Sequence, residues 1–126
     1  MSAAKLEFNI EQGATFKRIL VFKDSDGVLI DLTGVVLRGQ IRKTATDSTI
    51  ISSFTCVVDP DQITNKGQAT ISLTATQTSA IAVDPQKFAE RKPQKYAYDL
   101  EKVESDTVTV VRVLEGIVNV SPEVTK

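Results

Sequence analysis

The sequence predicts an all-β protein, and three observations carry that prediction. Apolar residues recur at every second position through much of the chain, Gly, Asp, Asn and Pro punctuate those runs, and no stretch of about 10–15 residues between them has helical spacing. At 126 residues and 13.7 kDa the chain has the size of one domain with one shared core, so a single domain over residues 1–126 is expected.

Leu6-Glu7-Phe8-Asn9-Ile10 alternates apolar and polar, and Glu11-Gln12-Gly13 breaks the pattern before a second run over residues 15–23. These read as two strands joined by a turn. Asp24-Ser25-Asp26-Gly27 has the short polar side chains and the glycine that a hairpin turn wants, with Val28-Leu29-Ile30 returning after it. Asp31-Leu32-Thr33-Gly34 makes the next corner.

Over residues 35–43 the period of two is clean: Val35, Leu37, Gly39 and Ile41 share one face, Val36, Arg38, Gln40 and Arg42 the other. Residues 44–49 form a polar connector, and residues 50–58 are β-branched and aromatic enough for a strand that Asp59-Pro60-Asp61 ends. After the Asn65-Lys66-Gly67 turn, Ala69, Ile71 and Leu73 point one way and Gln68, Thr70 and Ser72 the other.

Residues 74–82 lose the alternation, and Thr76 is placed to cap one short helix through Gln77-Thr78-Ser79-Ala80-Ile81. Two prolines and the charges Lys87, Glu90, Arg91, Lys92 and Lys95 make residues 83–95 an exposed charged loop. Tyr96, Tyr98 and Leu100 then alternate with Ala97, Asp99 and Glu101, and the valine-rich residues 107–120 follow the Ser105-Asp106 corner as a closing strand. Seven to eight strands and one short helix suit an antiparallel β-sandwich, immunoglobulin-like or related.

Gly39 and Gly116 interrupt strands, which calls for a bulge or for the close approach of another backbone; bulges are the plainer expectation.

The chemistry is sparse. Fifteen basic against sixteen acidic residues give a net charge of -1, no field for phosphate backbones or anionic membranes, so neither is an expected partner. Apolar runs such as residues 19–22 fall short of the roughly 20 residues of a spanning helix. The polar start Met1-Ser2-Ala3-Ala4-Lys5-Leu6-Glu7 is unlike a secretion signal, so synthesis in the cytoplasm is expected. There is no histidine, and the single Cys56, in the run Phe54-Thr55-Cys56-Val57-Val58, reads as a packing residue.

The carboxylate pairs Asp24/Asp26 and Asp59/Asp61 lie in turns, where aspartate serves local hydrogen bonds. A calcium loop starting at Asp24 would need a glutamate where this chain has Val35, and no glycine-rich phosphate motif occurs. No catalytic, cofactor-binding or metal-binding residue is therefore expected, and no cofactor. The basic residues Lys87, Arg91, Lys92 and Lys95 are candidates for contact with an acidic partner, against the plain reading of a solvated loop.

Phe8-Asn9-Ile10-Glu11-Gln12-Gly13-Ala14-Thr15-Phe16, Asp26-Gly27, Asp31-Leu32-Thr33-Gly34 and Gln40-Ile41-Arg42-Lys43, in that order, resemble the small virion proteins of tailed bacteriophages. The resemblance continues through Tyr96-Ala97-Tyr98-Asp99-Leu100-Glu101, Arg112-Val113-Leu114-Glu115-Gly116 and residues 118–125. The Asp-Gly and Asp-Leu-Thr-Gly pair is also similar, over a shorter stretch, to the N-terminal domain of phage baseplate upper proteins.

The resemblance implies a non-enzymatic structural component of a virion, associated with tail, baseplate or neck, assembled in the host cytoplasm and used in symmetric copies with other virion proteins as partners. Residues 83–95 stand as an insertion relative to such proteins. Two other readings stay open: a head decoration or fibre-anchoring protein, and a carbohydrate-binding adhesion module. The sheet edges would be the docking lines, with residues 6–10 and 107–120 as the expected edge strands.

Overall fold

The computed structural model describes residues 3–125. The elements are β1 (Ala4–Lys5), β2 (Phe8–Glu11), β3 (Phe16–Val21), β4 (Val36–Arg42), β5 (Ser52–Val58), β6 (Gln68–Leu73), α1 (Ala75–Ser79), α2 (Pro85–Ala89), β7 (Gln94–Val103) and β8 (Val110–Ser121). The all-β expectation holds: the eight strands form one mixed sheet curled into a half-barrel. Each helix has five residues, and among the described residues no helix is long and apolar enough to cross a membrane.

The strand order is β1-β8-β7-β4-β5-β6-β3, with β2 also on β8. Hairpin-like neighbours pair antiparallel, but β1 and β2 run parallel to β8, so the sheet is not purely antiparallel. A parallel partner cannot come from a tight turn; it comes here from the opposite end of the chain. The curl has its hinge in β5, which pairs with β4 through Ser52, Ser53 and Phe54 and with β6 through Thr55 to Val58.

Period-two burial drives the curl. In β4, Leu37, Gly39 and Ile41 are buried while Val36 and Arg38 are exposed, and in β7, Tyr96, Tyr98 and Leu100 are buried between half-buried neighbours. Their apolar face meets Phe8 and Ile10 from β2, Phe54 from β5 and Val118 and Val120 from β8. At the centre four rings interlock: Phe8 meets Phe16 edge-on at 5.5 Å and Tyr98 at 5.0 Å, and Phe54 lies 6.0 Å from Phe16 and 6.1 Å from Tyr98. Such ring pairs contribute roughly 0.5–1.5 kcal/mol each beyond burial.

Several expectations need correction. There are two short helices, not one, because Asp84 caps Gln86 and Pro85 starts a turn within residues 83–95; that stretch holds α2, and β7 begins at Gln94. The cap of α1 is Thr74, not Thr76: its hydroxyl accepts from the Gln77 N–H at 3.1 Å, and the Thr74 N–H donates to the Gln77 side-chain oxygen at 2.8 Å. The N-terminal strand is split, with Leu6 and Glu7 between β1 and β2. The closing strand starts at Val110 because residues 106–109 are held as a turn by Asp106.

Neither strand glycine marks a bulge. The register shift of the β7–β8 ladder falls at Leu100/Glu101, while Gly39 gives room to Leu100 and Phe54, and Gly116 to the Leu6 carbonyl.

Candidate docking surfaces

The four basic residues singled out from the sequence lie on α2, on the turn that follows it and near the start of β7. Lys87 is half-buried in the last turn of α2, and Arg91 and Lys92 are exposed on the turn that follows, where Arg91 has φ +59°. The Lys92 ammonium pairs with the Glu90 carboxylate at 3.1 Å, and Lys95 lies apart, in the β7 ladder opposite Asn119.

The turn aspartates are occupied as acceptors. Asp24 accepts from the Asp26 and Val28 N–H groups, Asp59 from Asp61, and Asp31 from the Thr33 N–H and hydroxyl. Hydrogen bonds hold three carboxyls below the usual range: from the Thr33 side chain at Asp31, from the Thr64 backbone at Asp61 and from the Thr109 side chain at Asp106. Cys56 packs beside the core, and burial pushes its thiol up to about 11.

The outer face of β4, β7 and β8 is laced with charge. Arg38 pairs with Glu101 at 2.9 Å, and Arg112 reaches Asp99 and Glu115, both at 3.4 Å. Burial, then Glu101, push the Asp99 carboxyl up, and this outweighs the Arg112 and Arg42 guanidinium groups that act the other way. A shallow hollow here is floored by Ala97 and rimmed by Gln40, Arg42, Asp99, Arg112 and Glu115.

The outer face of β3, β6 and β5 is different. Register puts Ile19 beside Thr70 and Thr70 beside Val57, so two exposed apolar side chains flank a threonine across three strands, with Ile19 65% and Val57 56% exposed. Val21, next on this face of β3, is also exposed.

The free edges are β3 at one end of the sheet and β1 with β2 at the other. The expectation for residues 6–10 thus falls on an edge, but residues 107–120 do not: β8 is covered by β7 on one side and by β1 and β2 on the other. Period-two pairing cannot say which strand a chain end will cover. Arg18 sits 4.7 Å over the Phe16 ring and donates to the Lys17 carbonyl at 2.9 Å. A charged side chain at an inward-pointing edge position is a recognised guard against indiscriminate strand addition.

Three polar residues that sequence patterns passed over brace these edges. Gln12 donates to the Ile81 carbonyl at 2.8 Å and accepts from the Glu123 N–H at 3.0 Å. The fully buried Thr78 hydroxyl accepts from Gly13 and donates to the Ala14 carbonyl, which pins the β2–β3 corner to α1. Gln62 Oε1 accepts from Leu32 at 2.9 Å and from Gly67 at 3.0 Å. Compared with protein-family models and with curated proteins, the chain matches none.

Proposed function

We propose that this protein is a non-enzymatic structural component of a bacteriophage virion, associated with tail, baseplate or neck, that acts by protein–protein assembly. The observation that carries the assembly reading is the open β3 edge with solvent-facing Ile19 and Val21, continued by Val57 across the sheet. The non-enzymatic reading is supported by what the carboxylates do: turn hydrogen bonds at Asp24, Asp31, Asp59, Asp61 and Asp106 leave them committed to backbone geometry. The virion assignment rests on the resemblance carried by residues 8–16, 26–27, 31–34, 40–43, 96–101, 112–116 and 118–125.

The finer fold reading is an immunoglobulin-like sandwich. In its support, β8, β7 and β4 follow one another on one side of β5, β6 and β3 on the other, and β5 pairs with β4 and with β6 through different parts of its length. The Tyr96 hydroxyl at the start of β7 donates to the Ala82 carbonyl, in the manner of a tyrosine corner.

The test is direct detection. Antibody-gold labelling and mass spectrometry of purified virions should find the protein at the tail, in a copy number set by the tail's symmetry. Hundreds of copies on the head would favour a decoration protein, and none in the virion would overturn the proposal.

A further inference from the structure

The two free edges of the sheet carry opposite charge. Residues 7–11 on the β2 side contribute Glu7 and Glu11 and no cation, whereas residues 16–23 on the β3 side contribute Lys17, Arg18 and Lys23 and no carboxylate. All five side chains are exposed. One cleft is lined by Asn9 and Glu11 from the first edge and by Phe16 and Arg18 from the second, so both edges border the same mouth of the half-barrel. The corner between them is only residues 12–15, and Phe8 and Phe16 meet behind it.

We propose that this mouth is a homodimer interface, occupied by a second copy of this chain set mouth to mouth about a two-fold axis. The β2 edge of each copy then lies along the β3 edge of the other. Because both edges face one side, a two-fold axis satisfies both at once, and each contact occurs twice. Pairing β3 with β3 would set Lys17, Arg18 and Lys23 against another basic edge, and β2 with β2 would oppose carboxylates; like charges across strands are unfavourable.

The crossed pairing sets Lys17 against the carboxylate edge and brings Ile19 and Val21 beside a strand instead of water. Lys5, on β1 beyond the break, lies outside residues 7–11. The inference rests on the assembly reading only in taking sheet edges as docking lines.

The test is sedimentation of the full chain from low to several hundred micromolar, with Lys17→Glu and Glu11→Lys. The wild type should dimerise. Each variant, folded by circular dichroism, should weaken the dimer by about tenfold or more. An equimolar mixture of the two variants should regain it to within about threefold, because in the mixed dimer every Glu again faces a Lys. In the wild type, exchange of β3 amide protons should slow as concentration rises.

A monomer throughout the range, an assembly larger than two, or a dimer indifferent to both substitutions would each overturn the inference. A monomer that is nevertheless found in purified virions would do so while leaving the virion assignment intact.

Discussion

Gly116 and Leu6 touch so closely that a Cβ on Gly116 would lie 2.3 Å from the Leu6 carbonyl oxygen. The same oxygen accepts the Tyr98 hydroxyl at 2.5 Å, so β7 and β8 both grip the segment between β1 and β2. Gly116→Ala should push that segment off the sheet and destabilise the fold by about 1–3 kcal/mol, the usual cost of forcing atoms into a packed site. Urea unfolding would measure it; amide exchange should accelerate at β1 and β2 more than at β6.

Gln62 joins the corner before β4 to the turn before β6 through a shared acceptor, taking the Leu32 and Gly67 N–H groups on one oxygen. Gln62→Met keeps the volume and removes the acceptor. Leaving buried donors unpaired should lower stability by about 2–3 kcal/mol, read from the denaturation midpoint at constant slope. A loss under about half a kcal/mol would mean water replaces the amide.

The Cys56 thiol, pushed up to about 11 from an ordinary 9.0, should be sluggish. At pH 8 its reaction with a thiol reagent should run about a hundredfold slower than that of the unfolded chain, since two pKa units remove that much thiolate. Because burial raises the folded pKa, the thiol's contribution to stability is intact below pH 9 and is lost as pH rises toward 11. Cys56→Ser should abolish the reaction.

Asp31, Asp61 and Asp106 have folded pKa values below their ordinary one. Their stabilising effect is therefore present above the unfolded carboxylate range, near about 4, and is lost as pH falls through the lower folded values. The melting temperature should drop as pH falls below about 4, and Asp106→Asn should flatten that slope by removing one of the three groups. An unchanged slope would show that this turn opens before the global transition.

Much of the fold was legible because it follows from alternation alone. The inward set Leu37, Gly39 and Ile41, the trio Ala69, Ile71 and Leu73, and the Tyr96, Tyr98 and Leu100 row are each buried where period two places them. Turn chemistry was equally local: Asp24 and Asp31 bond backbone groups two to four residues on, as short polar side chains do. The candidate contacts Lys87, Arg91, Lys92 and Lys95 were legible as a charged stretch, but not its division by α2 and by the Lys92–Glu90 pair.

The all-β class, the faces of most strands and the turns between them follow from local residue order, since each depends on neighbours a few residues away. That β2 runs parallel beside β8, that β8 is interior and β3 an edge, and that Gly116 makes way for Leu6 are set by contacts between distant segments. Those outcomes depend on which distant strand takes a place in the ladder, and Phe8, Phe16, Phe54 and Tyr98, which meet across the core, come from four different strands. The two opposite-charged edges belong to the same category: Glu11 and Lys17 are near in sequence, but only the curl of the sheet sets them on either side of one mouth.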